Sequence, residues 1–150
     1  EHHTLFFSKD WKGNFDAIFG SPTRVPEIPS LYVCKPSGVD PEVAPDGTEN
    51  VFVLVPLPAD PGLGHGGIDG SGDTAIEALT DRVISQIADW AGIPDFADRI
   101  VLRRSVGPAD FVDELNSWKP SSDRGTSARR CAACTMQARR RSRASACRCA

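Results

Sequence analysis

"VFVLVPLPADPGLGHGGIDG", residues 51–70, joins an unbroken apolar run to a loop in which Gly62, Gly64 and Gly67 stand at G-x-G-x-x-G spacing. In a dinucleotide turn of that spacing, a strand leads at once into the loop and a helix begins inside it. The helix N-terminus then faces a pyrophosphate. The neighbouring residues do not allow that geometry. Pro56, Pro58 and Pro61 separate the apolar run from the glycines, and Ile68, Asp69, Gly70, Ser71 and Gly72 separate Gly67 from any helix start. Outside its strand–turn–helix context the motif carries little weight. The stretch reads instead as a strand followed by a flexible surface loop. Because Val51 to Val55 lack polar alternation, the strand is expected to be covered on both faces and central in a sheet.

Upstream, Leu5 to Phe7 suits a strand, and Ser8 or Asp10 is able to cap a helix after it. Trp11, Phe15, Ile18 and Phe19 then fall on one face of a short helix that should turn inward, and Gly20 and Pro22 end it. "SLYVCK" at 30–35 is a second strand, and "PSGVDPEVAPDGTEN" is turn chemistry throughout. Downstream, Ile76, Leu79, Val83, Ile87 and Trp90 recur at three- and four-residue steps, which marks the longest helix. Asp73 or Thr74 caps its start, and Gly92 and Pro94 close it. "DRIVLRRS" at 98–105 reads as a further strand, and Pro108 opens a short helix with Asp110 in its first turn. The fold class is α+β, with a mixed sheet and flanking helices.

The net charge of −3 averages two unlike parts. Residues 121–150 hold eight Arg and one Asp and no Val, Ile, Leu, Phe, Tyr or Trp. Such a segment buries too little apolar surface to offset its ordering entropy, so residues 120–150 are expected to be a disordered tail and 1–119 the folded part, with the boundary near Pro120. There is no run of about 18 apolar residues, so no transmembrane helix is expected. The N-terminus has neither a basic n-region nor an apolar h-region and does not read as a signal peptide. The chain reads as one entered part-way.

No active site emerges from the residues. Cys131 and Cys134 form a C-x-x-C, but Cys147 and Cys149 have a single intervening residue, which is not the second pair that a structural zinc site needs. The Arg-rich tail lacks interleaved aromatics and any recognised nucleic-acid module, so no nucleic-acid partner is expected. Cys34 reads as a small core residue. His2 and His3, adjacent on a strand, should point to opposite faces, which is poor geometry for a shared metal. His65 reads as structural, and Asp110, Asp113 and Glu114 are carboxylates on one short helix. No catalytic, cofactor-binding or metal-ligating residue is assigned.

The order of segments is nonetheless distinctive. "HHT-FF", "DP-VAPDG", "FVLVP" and "PADF" occur in one order across residues 1–119. In this the chain resembles the later-middle portion of bacterial phytoene desaturases, in the carotenoid desaturase branch of the flavin amine-oxidase-like oxidoreductases. The resemblance implies a piece of an FAD-dependent α/β oxidoreductase that removes hydrogens from a C40 polyene. It also implies a cytoplasmic parent touching the membrane peripherally. The family's two flavin-contacting glycine segments have no counterpart here, so the chain alone is expected to bind no FAD and to be inactive. In the family the loop after "FVLVP" is a variable connection, and Phe6, Phe7, Phe15 and Phe19 are expected to serve the core rather than a substrate tunnel. Alternatives are another carotenoid desaturase, of a C30 precursor for example, or a ketolase of the same branch. A non-catalytic interaction module with a metal- or nucleic-acid-binding tail is the rival from another class. After "NSWK" the family pattern stops, and codons for Ser121 to Thr126 can be chosen so that another frame gives Leu-Gly-Pro-Gly-His. A frameshift in GC-rich DNA is therefore expected to have produced the tail.

Overall fold

A computed structural model of the chain describes residues 2–114 and 131–139. Five strands, β1 (His3–Phe6), β2 (Leu31–Cys34), β3 (Thr48–Pro56), β4 (Ile100–Val106) and β5 (Cys131–Arg139), form one sheet in the order β1-β2-β3-β5-β4. Every neighbouring pair is antiparallel. The mixed sheet expected from the sequence is therefore corrected. Alternating strands and helices suggest crossovers, but the long turn chemistry between β2 and β3 returns the chain beside itself, and antiparallel pairing results.

Among the described residues four helices accompany the sheet: α1 (Trp11–Phe19), α2 (Thr74–Ala91), α3 (Phe96–Arg99) and α4 (Pro108–Asp113). α2 runs as its spacing predicts, from Asp73 at the N-cap to Gly92, whose φ of 65° gives the left-handed turn that closes the helix. Its Leu79, Val83, Ile84 and Ile87 pack against Val51, Val53 and Val55 of β3, Leu31 of β2 and Met136 and Ala138 of β5 to make the core.

β3 is the middle strand, as expected, but it is not covered equally. Val51, Val53 and Val55 are buried whereas Phe52 and Leu54 are half-buried, so burial alternates although the residue types do not. The α1 expectation also needs revision. Asp10 caps the helix, accepting from Gly13 N at 2.9 Å, and Ile18 is buried with Ala17. Trp11, Phe15 and Phe19, however, face outward, as does Phe7. They form an aromatic stripe at four-residue spacing on the face opposite Ala17, which is the residue small enough to approach the protein body. Phe6 alone among the four phenylalanines assigned to the core packs against it, with its ring 5.8 Å from that of Trp90.

The tail departs most from expectation. Residues 131–139, taken from the sequence as disordered, form β5 between β3 and β4. A strand with a neighbour on each side gains backbone hydrogen bonds along both edges, and those need no large side chains. Over residues 135–139, whose burial is described, Met136 and Ala138 are the buried ones. The boundary near Pro120 lies outside the described residues. No helix among the described residues is long and apolar enough to cross a membrane.

Candidate functional site

The glycine loop leaves β3 through a turn at Pro61–Leu63 that Asp60 caps, its Oδ1 accepting from Gly62 N at 2.8 Å. It then runs along β4, the edge strand of the sheet. Ser105 N donates to Gly67 O at 2.8 Å, and Asp69 N donates to Arg103 O at 2.9 Å. Arg103 N in turn donates to Asp69 Oδ1 at 2.9 Å. The loop thus covers an edge that would otherwise present a row of unpaired backbone groups. The flexible connection read from the sequence is in fact a pinned one, held by contacts between residues some forty positions apart that local composition does not reveal.

The amides of the loop are taken up within the chain. His65 N donates to Asp73 Oδ2 at 2.8 Å, Gly66 N to Asp110 Oδ2 at 2.7 Å and Gly67 N to the Ser105 hydroxyl at 2.8 Å. Ile68 N donates to the Ser71 hydroxyl at 3.0 Å. Gly107 N, at the start of α4, adds a second donor to Asp110 Oδ2 at 2.7 Å. A pyrophosphate is bound by free N–H groups in a positive field. Here the N–H groups already have acceptors, and three of them donate to the carboxylates of Asp73 and Asp110, so this loop does not fit the flavin's pyrophosphate.

His65 sits between two acids, Asp113 and Asp73. Its Nε2 is 2.9 Å from Asp113 Oδ2 and its Nδ1 is 3.5 Å from Asp73 Oδ2. The hydrogen bond with Asp113 holds the imidazole pKa above its ordinary value against a smaller desolvation effect, helped by the charge of Asp110 and the bond with Asp73. Asp73 is held below the usual carboxylate range, first by the His65 N–H and then by the imidazole. The two act on stability with opposite sign. The His65 contribution is complete below about pH 6.5 and is lost as pH rises through its raised value. That of Asp73 is complete above the ordinary carboxylate value and is lost as pH falls through the lowered one. The urea midpoint of the wild type should therefore decline as pH is raised from about 6.5 through the raised imidazole value. His65→Gln should flatten that decline, and superimposable profiles would reject the link.

Beneath the loop, Glu77 of α2 receives the Ser105 hydroxyl at 2.6 Å on Oε1 and Arg103 Nη2 at 2.9 Å on Oε2. Arg103 Nη1 reaches Asp81 one turn further along α2. Charged and polar groups of β4 that alternate inward are thereby satisfied by one helix face, as largely buried groups must be. The sequence reading missed this cluster. Its trace was a glutamate next to Ile76 on the inward face of α2, together with Arg103 and Ser105 at two-residue spacing on one side of a strand.

Of the residues considered from the sequence, His65, Asp110 and Asp113 are brought together, while Glu114 stands 3.9 Å from Arg104. His2 and His3 do not diverge as expected. Their rings stack with centroids 4.1 Å apart and 14° between planes. β1 begins only at His3, so strand alternation does not govern His2. In register, His3 pairs with Cys34, and Tyr32 Oη is hydrogen-bonded with His3 Nδ1 at 2.6 Å. Desolvation raises the Tyr32 pKa, and a hydrogen bond with Cys34 raises it further. Cys34 is half-buried on the face of β2 away from Leu31 and Val33, not in the core. One ligand atom from each of His2, His3 and Cys34 lies within 4.8 Å of the others. Cys131 and Cys134 lie in β5, and Cys147 and Cys149 fall outside the described residues.

No family model matches the chain, and no solved structure matches it. Curated proteins do. A carotenoid 3,4-desaturase of Haloarcula japonica is 42% identical over 117 residues, 78% of this chain and 22% of the relative. A zeta-carotene-forming phytoene desaturase of Myxococcus xanthus is 49% identical over 116 residues, 77% of this chain and 21% of the relative. Over these residues the chain is similar to phytoene and carotenoid desaturases. A lycopene-forming phytoene desaturase of Paracoccus sp. agrees, at 34% identity over 123 residues, 81% of this chain and 23% of that protein. The desaturase-like chain spans about a fifth of the length of these relatives. The resemblance read from "HHT-FF" through "PADF" is thus matched by measured similarity to proteins named as carotenoid desaturases.

Proposed function

We propose that residues 1–119 are a structural segment of an FAD-dependent phytoene desaturase, an oxidoreductase that removes hydrogens from a C40 polyene. What carries the reading is the 49% identity to the zeta-carotene-forming enzyme. When bound, the flavin accepts the hydrogens. The glycine loop does not fit the flavin's pyrophosphate, and on this reading the sheet and the pinned loop serve as scaffold, and the isolated chain binds no FAD and turns nothing over. The polyene partner is membrane-dissolved, so the whole protein touches the bilayer peripherally from the cytoplasmic side. The outward aromatics Trp11, Phe15 and Phe19 are consistent with such contact. The Arg-rich stretch after Pro120 is an out-of-frame translation, although part of it completes the sheet.

A chimera tests the reading. The segment of the Myxococcus enzyme matched by this chain is replaced by residues 2–114, and the product is assayed with phytoene. Conversion to more desaturated, coloured products supports the proposal. A chimera that binds FAD and leaves phytoene unchanged rejects it. The 42% identity to a carotenoid 3,4-desaturase favours a second reading, in which the polyene acted on is already conjugated. Activity of the chimera on such a carotenoid, with none on phytoene, selects it.

A further inference from the structure

We propose that His2, His3 and Cys34 form a binding site for a thiophilic first-row cation of the zinc or copper class, at the β1–β2 edge of the sheet. The site goes beyond the desaturase reading and does not depend on it. The register that pairs His3 with Cys34 sets an imidazole and a thiol across from each other on one face. Directly opposed residues of an antiparallel pair have Cβ atoms about 4.5–5.5 Å apart, within reach of a shared ion. His2 supplies the third donor from just before the strand, where its carbonyl accepts from Lys35 N at 2.8 Å and so fixes its backbone beside Cys34. The donor atoms lie within 4.8 Å of one another. A tetrahedral zinc with about 2.0–2.1 Å bonds to nitrogen and about 2.3 Å to sulfur brings its ligands to about 3.3–3.6 Å apart. Closing the remaining gap is left to the side-chain torsions of the three ligands.

The donor set is selective. Two imidazoles and one thiolate suit zinc and copper, whereas magnesium and calcium take oxygen. Three protein ligands also leave a fourth position for solvent. Tyr32 completes the arrangement as an outer partner. When His3 Nδ1–H donates to Tyr32 Oη, Nε2 carries the free lone pair, which is how a second hydrogen bond fixes the tautomer of a ligating histidine. Binding is a ligand exchange with no redox step: the Cys34 thiol loses its proton to solvent and the ion loses water.

The test separates this site from the four cysteines of the C-terminal stretch. The full chain with Cys131, Cys134, Cys147 and Cys149 replaced by Ser is titrated with Co2+ under a non-chelating reductant. One equivalent should produce a thiolate-to-cobalt charge-transfer band that Zn2+ abolishes. Adding Cys34→Ser should remove the band, and Tyr32→Phe should weaken binding by about 10-fold, the lower end for an outer-shell partner. A folded tail variant with no band, while the unaltered chain shows one, would assign the metal to the tail and overturn the proposal. Because two of the replaced cysteines lie in β5, the unaltered chain is read in parallel against His3→Gln, a change at an exposed position. Loss of one bound equivalent supports the site. An unchanged spectrum and stoichiometry overturn it.

Discussion

Replacing Gly66 by alanine is expected to destabilise the protein by about 3 kcal/mol, the upper end for forcing extra volume into a packed position. A Cβ at this position would lie 2.1 Å from the carbonyl oxygen of Ser105, 2.2 Å from its carbonyl carbon and 2.5 Å from Val106 N. All three are backbone atoms of the edge strand, and no side chain can swing aside. To admit the methyl group the loop must lift from β4. Lifting it breaks the bonds from Gly66 N to Asp110 and from Ser105 N to Gly67 O. Gly62→Ala is the matched control: there a Cβ meets only the Asp60 carboxylate, at 3.0 Å, the end of a side chain that can adjust. Urea unfolding of both variants decides the matter. If Gly66→Ala stays within about 1 kcal/mol of wild type, the close approach is wrong.

Glu77→Ala is expected to cost a similar amount, about 3 kcal/mol, near the low end for removing one partner of a largely buried ion pair. The substitution takes away the acceptor of both the Ser105 hydroxyl and Arg103 Nη2. The loss stays at the low end because Arg103 keeps its contact with Asp81. Glu77→Gln retains an oxygen for Ser105 while removing the charge opposite Arg103, so it should be milder. The Glu77→Ala, Arg103→Ala double variant should be less destabilised than the sum of the two single changes, with a coupling above about 1 kcal/mol. Strict additivity in thermal and urea unfolding would show that the pair does not hold α2 to β4.

The helices and strands were legible because local rules decide them. α2 is marked by the three- and four-residue spacing of its apolar residues and closed by the left-handed Gly92, signals that depend only on neighbouring residues; Asp73 stands at its N-cap position, but its carboxylate serves His65 N instead of the helix. α4 opens at Pro108, where a missing N–H costs nothing. What the sequence did not disclose depends on residues far apart in the chain. The pinned loop needs Ser105 and Asp110 to meet Gly66 and Gly67, and nothing in "GLGHGGIDG" signals those acceptors. β5 was hidden because Met136 is its one large apolar residue, and its place between two strands is a matter of backbone pairing rather than apolar pattern. The outward turn of Trp11, Phe15 and Phe19 was missed for the opposite reason. Their spacing identifies a face of α1 correctly but does not say which side of the helix the rest of the protein occupies.

The position of β5 has a consequence for synthesis. It is the last of the five strands to leave the ribosome, yet it lies inside the sheet, joined to β3 over nine residue pairs and to β4 on its other side. Until it emerges, β3 ends a three-stranded meander with a bare edge, and β4 has no strand partner. Two sticky edges of one nascent chain are then open to neighbouring polysomes for as long as the intervening residues take to be translated. The same delay sets the pace of refolding, since a strand that bridges positions so distant in sequence must wait on slow long-range closure.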